Sequence, residues 1–348
     1  MSWKAVLIAL SALLAAGGLP AEPVELRVLT HSSFAATQSV LDAFQKANNV
    51  HLQFSAGGDA GETLNKAILS KGNPLADVLY GVDNTFMGRA LAADILAPYD
   101  SPALRDIPKA LQLDPSHRLL PVDSGYVTLN YDRKFFTQKN LPVPASLEDL
   151  TQAAYKGMLV VENPATSSPG LAFLLATVSR FGETGTNTWE NYWSALRQND
   201  VLVVNGWDDA YFNEFTAGGK GKRPIVVSYG TSPAYELYAA TDPKPAQPPT
   251  GNIDGDRASF QQVEFVGILK GAKQPDLARK FVDFMLGAVF QADIPLQMWV
   301  YPASSRAALP DIFLRFAPLP ARPSIMTPSA IDAGRDAWIQ RWTQIVLR

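Results

Sequence analysis

"VELRVLTHSSFAATQSVLDAFQKANNVHLQFSA", residues 24–56, decides the architecture of this chain. An alternating apolar run from Val24 to Thr30 ends in the polar turn His31-Ser32-Ser33. Helical spacing then puts Val40, Leu41 and Phe44 on one face, and Asn48-Asn49 closes that helix before a second strand, Val50 to Ala56. Downstream come a polar turn, "GGDAGE" (57–62), a helix over 63–73 and an apolar strand, "ADVLYGVDN" (76–84). Strand, helix, strand, helix, strand predicts a mostly parallel sheet with helices on both faces. Ligands collect at the carboxyl ends of such strands. Here those ends are His31 to Ser33, Gly57 to Asp59 and Asp83-Asn84.

The rhythm resumes after residue 122. "YVTLNYD" (126–132) reads as a strand and "PVPASLEDLTQAAYKG" (142–157) as a helix capped by Ser146. "MLVVENP" (158–164), a helix from Pro169, "VLVVNGW" (201–207) and "IVVSYG" (225–230) continue the alternation. A strand and an amphipathic helix follow within 251–287, beyond a Pro-rich surface excursion at 241–258. Two α/β lobes joined by more than one crossing segment are expected, with a cleft between them.

Residues 1–21 are set apart: one Lys, an apolar run and Leu19-Pro20-Ala21 predict a secretory signal cut after Ala21. The remainder suits two domains of about 150 residues each. The chain has no Cys, which excludes disulfides, thiolate metal sites and a Cys nucleophile. A net charge of −3 without a basic tract argues against a nucleic-acid partner.

Two strand-to-helix junctions repeat one device. In "TSSPG" and "TSPAY", Ser168 and Ser232 are the expected N-caps, each followed by Pro, Pro169 and Pro233. Helix starts offer free N–H groups and partial positive charge to a phosphate, a carboxylate or a polar heteroatom. Aromatic residues cluster at the same junctions. Trp207 precedes Asp208 and Asp209, Tyr229 and Tyr235 bracket the second cap, and Tyr126 follows Gly125. Aromatic faces beside carboxylates suit flat, cationic ligands. Trp189, Trp193, Trp338 and Trp342 are instead expected in the core, and His51 half-buried in its strand. No Gly-x-Ser-x-Gly elbow, His-ligand spacing, dinucleotide fingerprint or P-loop occurs, so an enzyme is not expected.

"DVLYGVDNTF", "VDSGYVTLNYD", "TSSPGLAFLL", "NGWDDAY", "VVSYGTSPAY" and "MWVYPAS" together resemble the periplasmic thiamine-binding proteins of ABC importers, from about residue 25 to the C-terminus. The resemblance implies an α/β, two-lobe periplasmic-binding-protein type II fold, related to ferric-ion binders. Its mixed, mostly parallel sheets would be flanked by helices, with a hinge between lobes. Lobe I would span 25–122, completed by about 262–298, and lobe II 123–258, completed by about 299–348. Hinge segments are expected near Asp123 to Tyr126 and near 258–265. By position, the family's pocket falls on Asp59, Ala60, Ser167, Ser168, Trp207, Tyr229, Gly230, Thr231, Ser232 and Tyr235. Trp207 and Tyr235 would take the rings of thiamine, Asp59 would supply charge complementarity, and the two helix starts would receive the hydroxyethyl or phosphate end.

The implied protein is a periplasmic monomer that passes thiamine, and thiamine phosphates, to a permease in the inner membrane. It uses no cofactor and no metal. The sequence departs from the family where His31 stands in place of Tyr, Ala60 in place of Gly, Gly230 in place of a hydroxyl residue and Ala165 in place of a basic one. A Trp usual after the first Ser-Phe is missing. Alternatives are a carrier of another solute (a thiamine precursor, another heterocycle, a metal ion or an organophosphonate), an exported hydrolase using Asp59 or Asp83, and a sensor subunit.

Overall fold

The computed structural model describes residues 22–348, so the secretory signal expected at 1–21 lies outside the described residues. The first part of the chain follows the expected alternation: β1 (Val24–Thr30), α1 (Gln38–Asn48), β2 (Val50–Ala56), α2 (Ala60–Leu69), β3 (Val78–Asp83), α3 (Met87–Ala92) and β4 (Leu96–Ala97). Leu41 and Phe44 are the buried residues of α1, and Asn49 ends it in the left-handed conformation, φ 48°. β1 pairs in parallel with both β2 and β3. One boundary moves. The turn at 57–62 supplies the first helical residues, because Asp59 caps α2 directly at Ala60.

The rest of the chain contains β5 (Leu120–Asp132), α4 (Arg133–Lys139), β6 (Leu159–Glu162), α5 (Ser168–Phe181), α6 (Trp189–Gln198), β7 (Leu202–Val204), β8 (Ile225–Tyr229), α7 (Ser232–Ala239), β9 (Thr250–Ile253) and β10 (Phe260–Leu269). It closes with α8 (Pro275–Leu286), α9 (Ala288–Gln297), β11 (Tyr301–Pro302), α10 (Asp311–Phe316) and α11 (Pro328–Val346). The main sheet order is β2-β1-β3-β10-β5-β8-β6-β7. Its two ends are parallel, β1 with β2 and β6 with β7, whereas β5 and β10 run antiparallel to their neighbours through the middle. The expected crossing segments are therefore adjacent strands: Glu264 faces Asp123, Val263 faces Ser124 and Gln262 faces Gly125.

Helices cover both faces. Side chains of α2, α3, α5, α6 and α11 share one core, which contains all four core tryptophans: Trp189, Trp193, Trp338 and Trp342. Trp193 meets Trp342 edge to face at 5.4 Å, and its indole N–H donates to Thr177 Oγ1 at 2.9 Å. Side chains of α1, α8 and α9 form the second core against the other face.

Three local expectations change. Residues 148–155 form two short 3-10 turns, not a helix. Ser146 and Asp149 do cap each other's backbone. However, Asn199 Nδ2 donates to the Leu150 and Gln152 carbonyls, and Gln152 is extended at ψ 147°, so the helix cannot propagate. His51 is exposed rather than half-buried, because alternation along edge strand β2 turns it outward. The caps of α5 and α7 are Ser167 and Thr231, each one residue earlier than expected. Pro169 and Pro233 are accordingly second in their helices.

Candidate functional site

A cavity of about 270 Å³ opens at the carboxyl ends of β1 and β8 and the N-termini of α2, α5 and α7. Of the ten sequence-predicted residues, Asp59, Ala60, Ser168, Trp207, Tyr229, Thr231, Ser232 and Tyr235 line it. Ser167 lies behind the wall, fully buried, where its hydroxyl accepts from Gly170 N at 3.4 Å and bonds to Asp59. Gly230 faces a separate cavity on the other side, together with Tyr126, Thr128 and Arg133. Its N–H donates to the Tyr126 carbonyl at 2.8 Å and its own carbonyl accepts from Asn252 at 2.9 Å.

Asp59 joins the two halves of the chain. Its Oδ1 accepts from Ala60 N at 2.6 Å and its Oδ2 from the Trp207 amide at 3.0 Å. Burial pushes its carboxyl above the usual range, while the bonds from Ala60, Ser167 and Trp207 pull it back. Two more contacts close the same seam. Ser33 Oγ lies 3.3 Å from Asp208 Oδ1, and Gly61 N donates to the Thr166 carbonyl at 3.0 Å. Gly61 is required there. A Cβ on it would sit 2.6 Å from the Thr166 carbonyl oxygen and 3.0 Å from the Phe86 ring.

The aromatic wall is built by packing. Trp207 stacks on Tyr211 at 5.0 Å and an interplanar angle of 23°, meets Tyr229 edge-on at 6.2 Å, and donates its indole N–H to Ser228 Oγ at 2.8 Å. Tyr235 meets Trp299 edge-on at 5.3 Å. The α7 hydroxyls are partly spent inside the protein: Ser232 pairs with Ser228 at 3.1 Å, and Thr231 donates to the Trp299 carbonyl.

Several lining residues escaped the sequence-based site, among them His31, Asp208, Glu264, Met298 and Trp299. His31 was legible as a strand-end residue and Trp299 within "MWVYPAS". Glu264 gave no signal. Beside His31, Gly81 (φ 102°) is the other glycine that matters, since a Cβ there would lie 2.4 Å from the imidazole. Asp83, the third expected strand-end group, lies beneath the floor. Burial raises its pKa to about 6 against bonds from Gln262 and Thr85. The Gln262 amide also donates to Ser168 Oγ at 3.0 Å, tying β10 to the start of α5.

Three carboxylates (Asp59, Asp208 and Glu264) line the cavity and no Lys or Arg does. Among the described residues, no group of three or more His, Cys, Asp and Glu is placed to hold a metal ion, and no helix is long and apolar enough to cross a membrane. The arrangement can hold a flat cation between aromatic faces over a negative floor.

The profile of the family described as "Bacterial extracellular solute-binding protein" matches residues 73–315. The chain is 33% identical to the "Thiamine-binding periplasmic protein" of Salmonella typhimurium, over 97% of each chain. It is 32% identical to the protein of that name from Escherichia coli, over 94% of this chain and 95% of the relative. A solved structure titled "Periplasmic thiamin binding protein" superposes with a TM-score of 0.81 at 29% identity, covering 94% of this chain and 97% of the other.

Proposed function

The chain belongs to the bacterial extracellular solute-binding proteins, and on that premise we propose that it captures thiamine in the cavity at the strand ends. In this reading it works as a periplasmic monomer and delivers the vitamin to an ABC permease. Its architecture is the α/β type II periplasmic-binding fold expected from the sequence.

The observation that carries the reading is one cavity in which Trp207, Tyr229 and Tyr235 stand beside Asp59, Asp208 and Glu264. Thiamine joins a permanently cationic thiazolium to an aminopyrimidine. Each aromatic face over a desolvated cation contributes about 0.5–2 kcal/mol. Trp207 and Tyr235 take the rings, Asp59 fixes Trp207 through its amide, and Ser168 and the start of α5 receive the hydroxyethyl end. With no Lys or Arg in the lining and His31 already facing Glu264, unphosphorylated thiamine is preferred to its monophosphate, and the monophosphate to the diphosphate.

Isothermal titration with the three forms tests this. Thiamine should bind most tightly, and Trp207→Ala and Tyr235→Ala should each lower its affinity by roughly 2- to 30-fold. No detectable binding of thiamine by the wild-type protein refutes the reading. Tightest binding of the diphosphate refutes the assigned preference.

A further inference from the structure

Glu264 sits in the middle of β10, between β3 and β5, with its side chain 14% exposed. Its Oε1 lies 3.3 Å from His31 Nε2, and its carboxylate accepts from the Tyr80 hydroxyl at 2.6 Å. That hydroxyl is also 2.6 Å from Asp123 Oδ2. One phenolic hydrogen cannot serve two carboxylates, so one of the pair carries a proton of its own. Asp123 carries it: burial and the neighbouring Glu264 charge push its pKa well above the usual range, whereas Glu264, facing His31 and Tyr80, stays below it despite burial.

Asp123 and Tyr80 thus both bond to the Glu264 carboxylate from one side. A second short chain arrives from the other side, where Ser33 N donates to His31 Nδ1 at 3.1 Å, leaving Nε2 to donate to Glu264. Both chains end on one carboxylate, and that carboxylate opens into the cavity. Asp59, by contrast, is occupied by two backbone amides and the Ser167 hydroxyl.

We infer that Glu264 is the residue that selects a cationic over a neutral ligand, held ionised and aimed by His31 and Tyr80. This rests on the thiamine reading above and deepens it by assigning the counter-ion of the thiazolium. Removing one partner of a desolvated charge pair costs far more than removing a rim charge, which sets the expected scale.

The test compares thiamine with its isosteric, uncharged thiophene analogue on the full-length mature protein. Wild type should prefer thiamine by roughly 30-fold or more, and Glu264→Gln should reduce that preference to within about threefold. Affinity for the neutral analogue should be nearly unchanged, which also certifies the fold of the variant. His31→Lys, which neutralises Glu264 without removing it, should reduce the preference as well and serves if Glu264→Gln does not fold. A preference retained in both variants overturns the assignment while leaving the thiamine reading intact. Equal loss of both probes overturns it in favour of a purely structural role. Failure of wild type to bind thiamine sinks the functional reading, and this assignment with it.

Discussion

The amide of Trp207 donates to Asp59 Oδ2 at 3.0 Å, across 148 residues of sequence. One carboxylate thus caps α2 and fixes the backbone of the principal aromatic residue of the opposite wall.

Asp59→Ala removes both functions at once. Loss of an N-cap costs about 1 kcal/mol of stability, and the Trp207 amide loses its acceptor. The expected result is a thermal midpoint lowered by about 1–2 °C (about 1.5 °C per kcal/mol for a chain of this size) and thiamine affinity lowered by roughly tenfold. Differential scanning calorimetry and titration on one sample separate the two effects. A lowered midpoint with wild-type affinity would show that Trp207 is positioned without Asp59.

Binding should depend on pH through His31. Burial disfavours its charged form, but the Glu264 carboxylate, with Asp59 and Asp208, outweighs this and raises its pKa above 6.5. Tyr80 packs against the ring at 5.5 Å and adds no charge. Protonating His31 gives up the bond from Ser33 N to Nδ1, and a thiazolium at Glu264 opposes the resulting imidazolium, so the complex binds fewer protons than the free protein. Affinity therefore rises as pH climbs through the raised pKa and levels off above it, with a slope of at most one decade per unit. Titrations between about pH 6 and 8.5 check this, and His31→Gln should flatten the curve. A flat wild-type curve in that window would falsify the coupling.

The remote core should affect folding and not recognition. Trp342 is fully buried against Trp193 and is not among the residues that line the cavity. Trp342→Ala is expected to cost about 3–5 kcal/mol of stability, measured by urea unfolding, with thiamine affinity unchanged where the protein remains folded.

The alternation of strands and helices was legible because each element signals its own period. Leu41 and Phe44 mark α1, and an unbroken apolar run marks β3, whose residues are all buried. Features set by distant neighbours were not legible. Residues 148–155 hold good helix formers, yet Asn199, arriving from the end of α6, takes the carbonyls that a helix would need. Glu264 sits in an alternating strand, where a lone Glu reads as solvent-facing. It is buried only because β3 and β5 flank it. The run from Tyr229 to Ser232 looked like one wall. Successive residues leaving a strand point to opposite faces, so Tyr229 enters the cavity and Gly230 faces away.

At the seam between the halves, Gly61 meets Thr166 main chain to main chain, with no gap for even a methyl group. In the proposed carrier, the fit of the two halves is therefore set partly by a position without a side chain, outside the cavity lining. That fit can change during evolution while every group that lines the cavity stays the same.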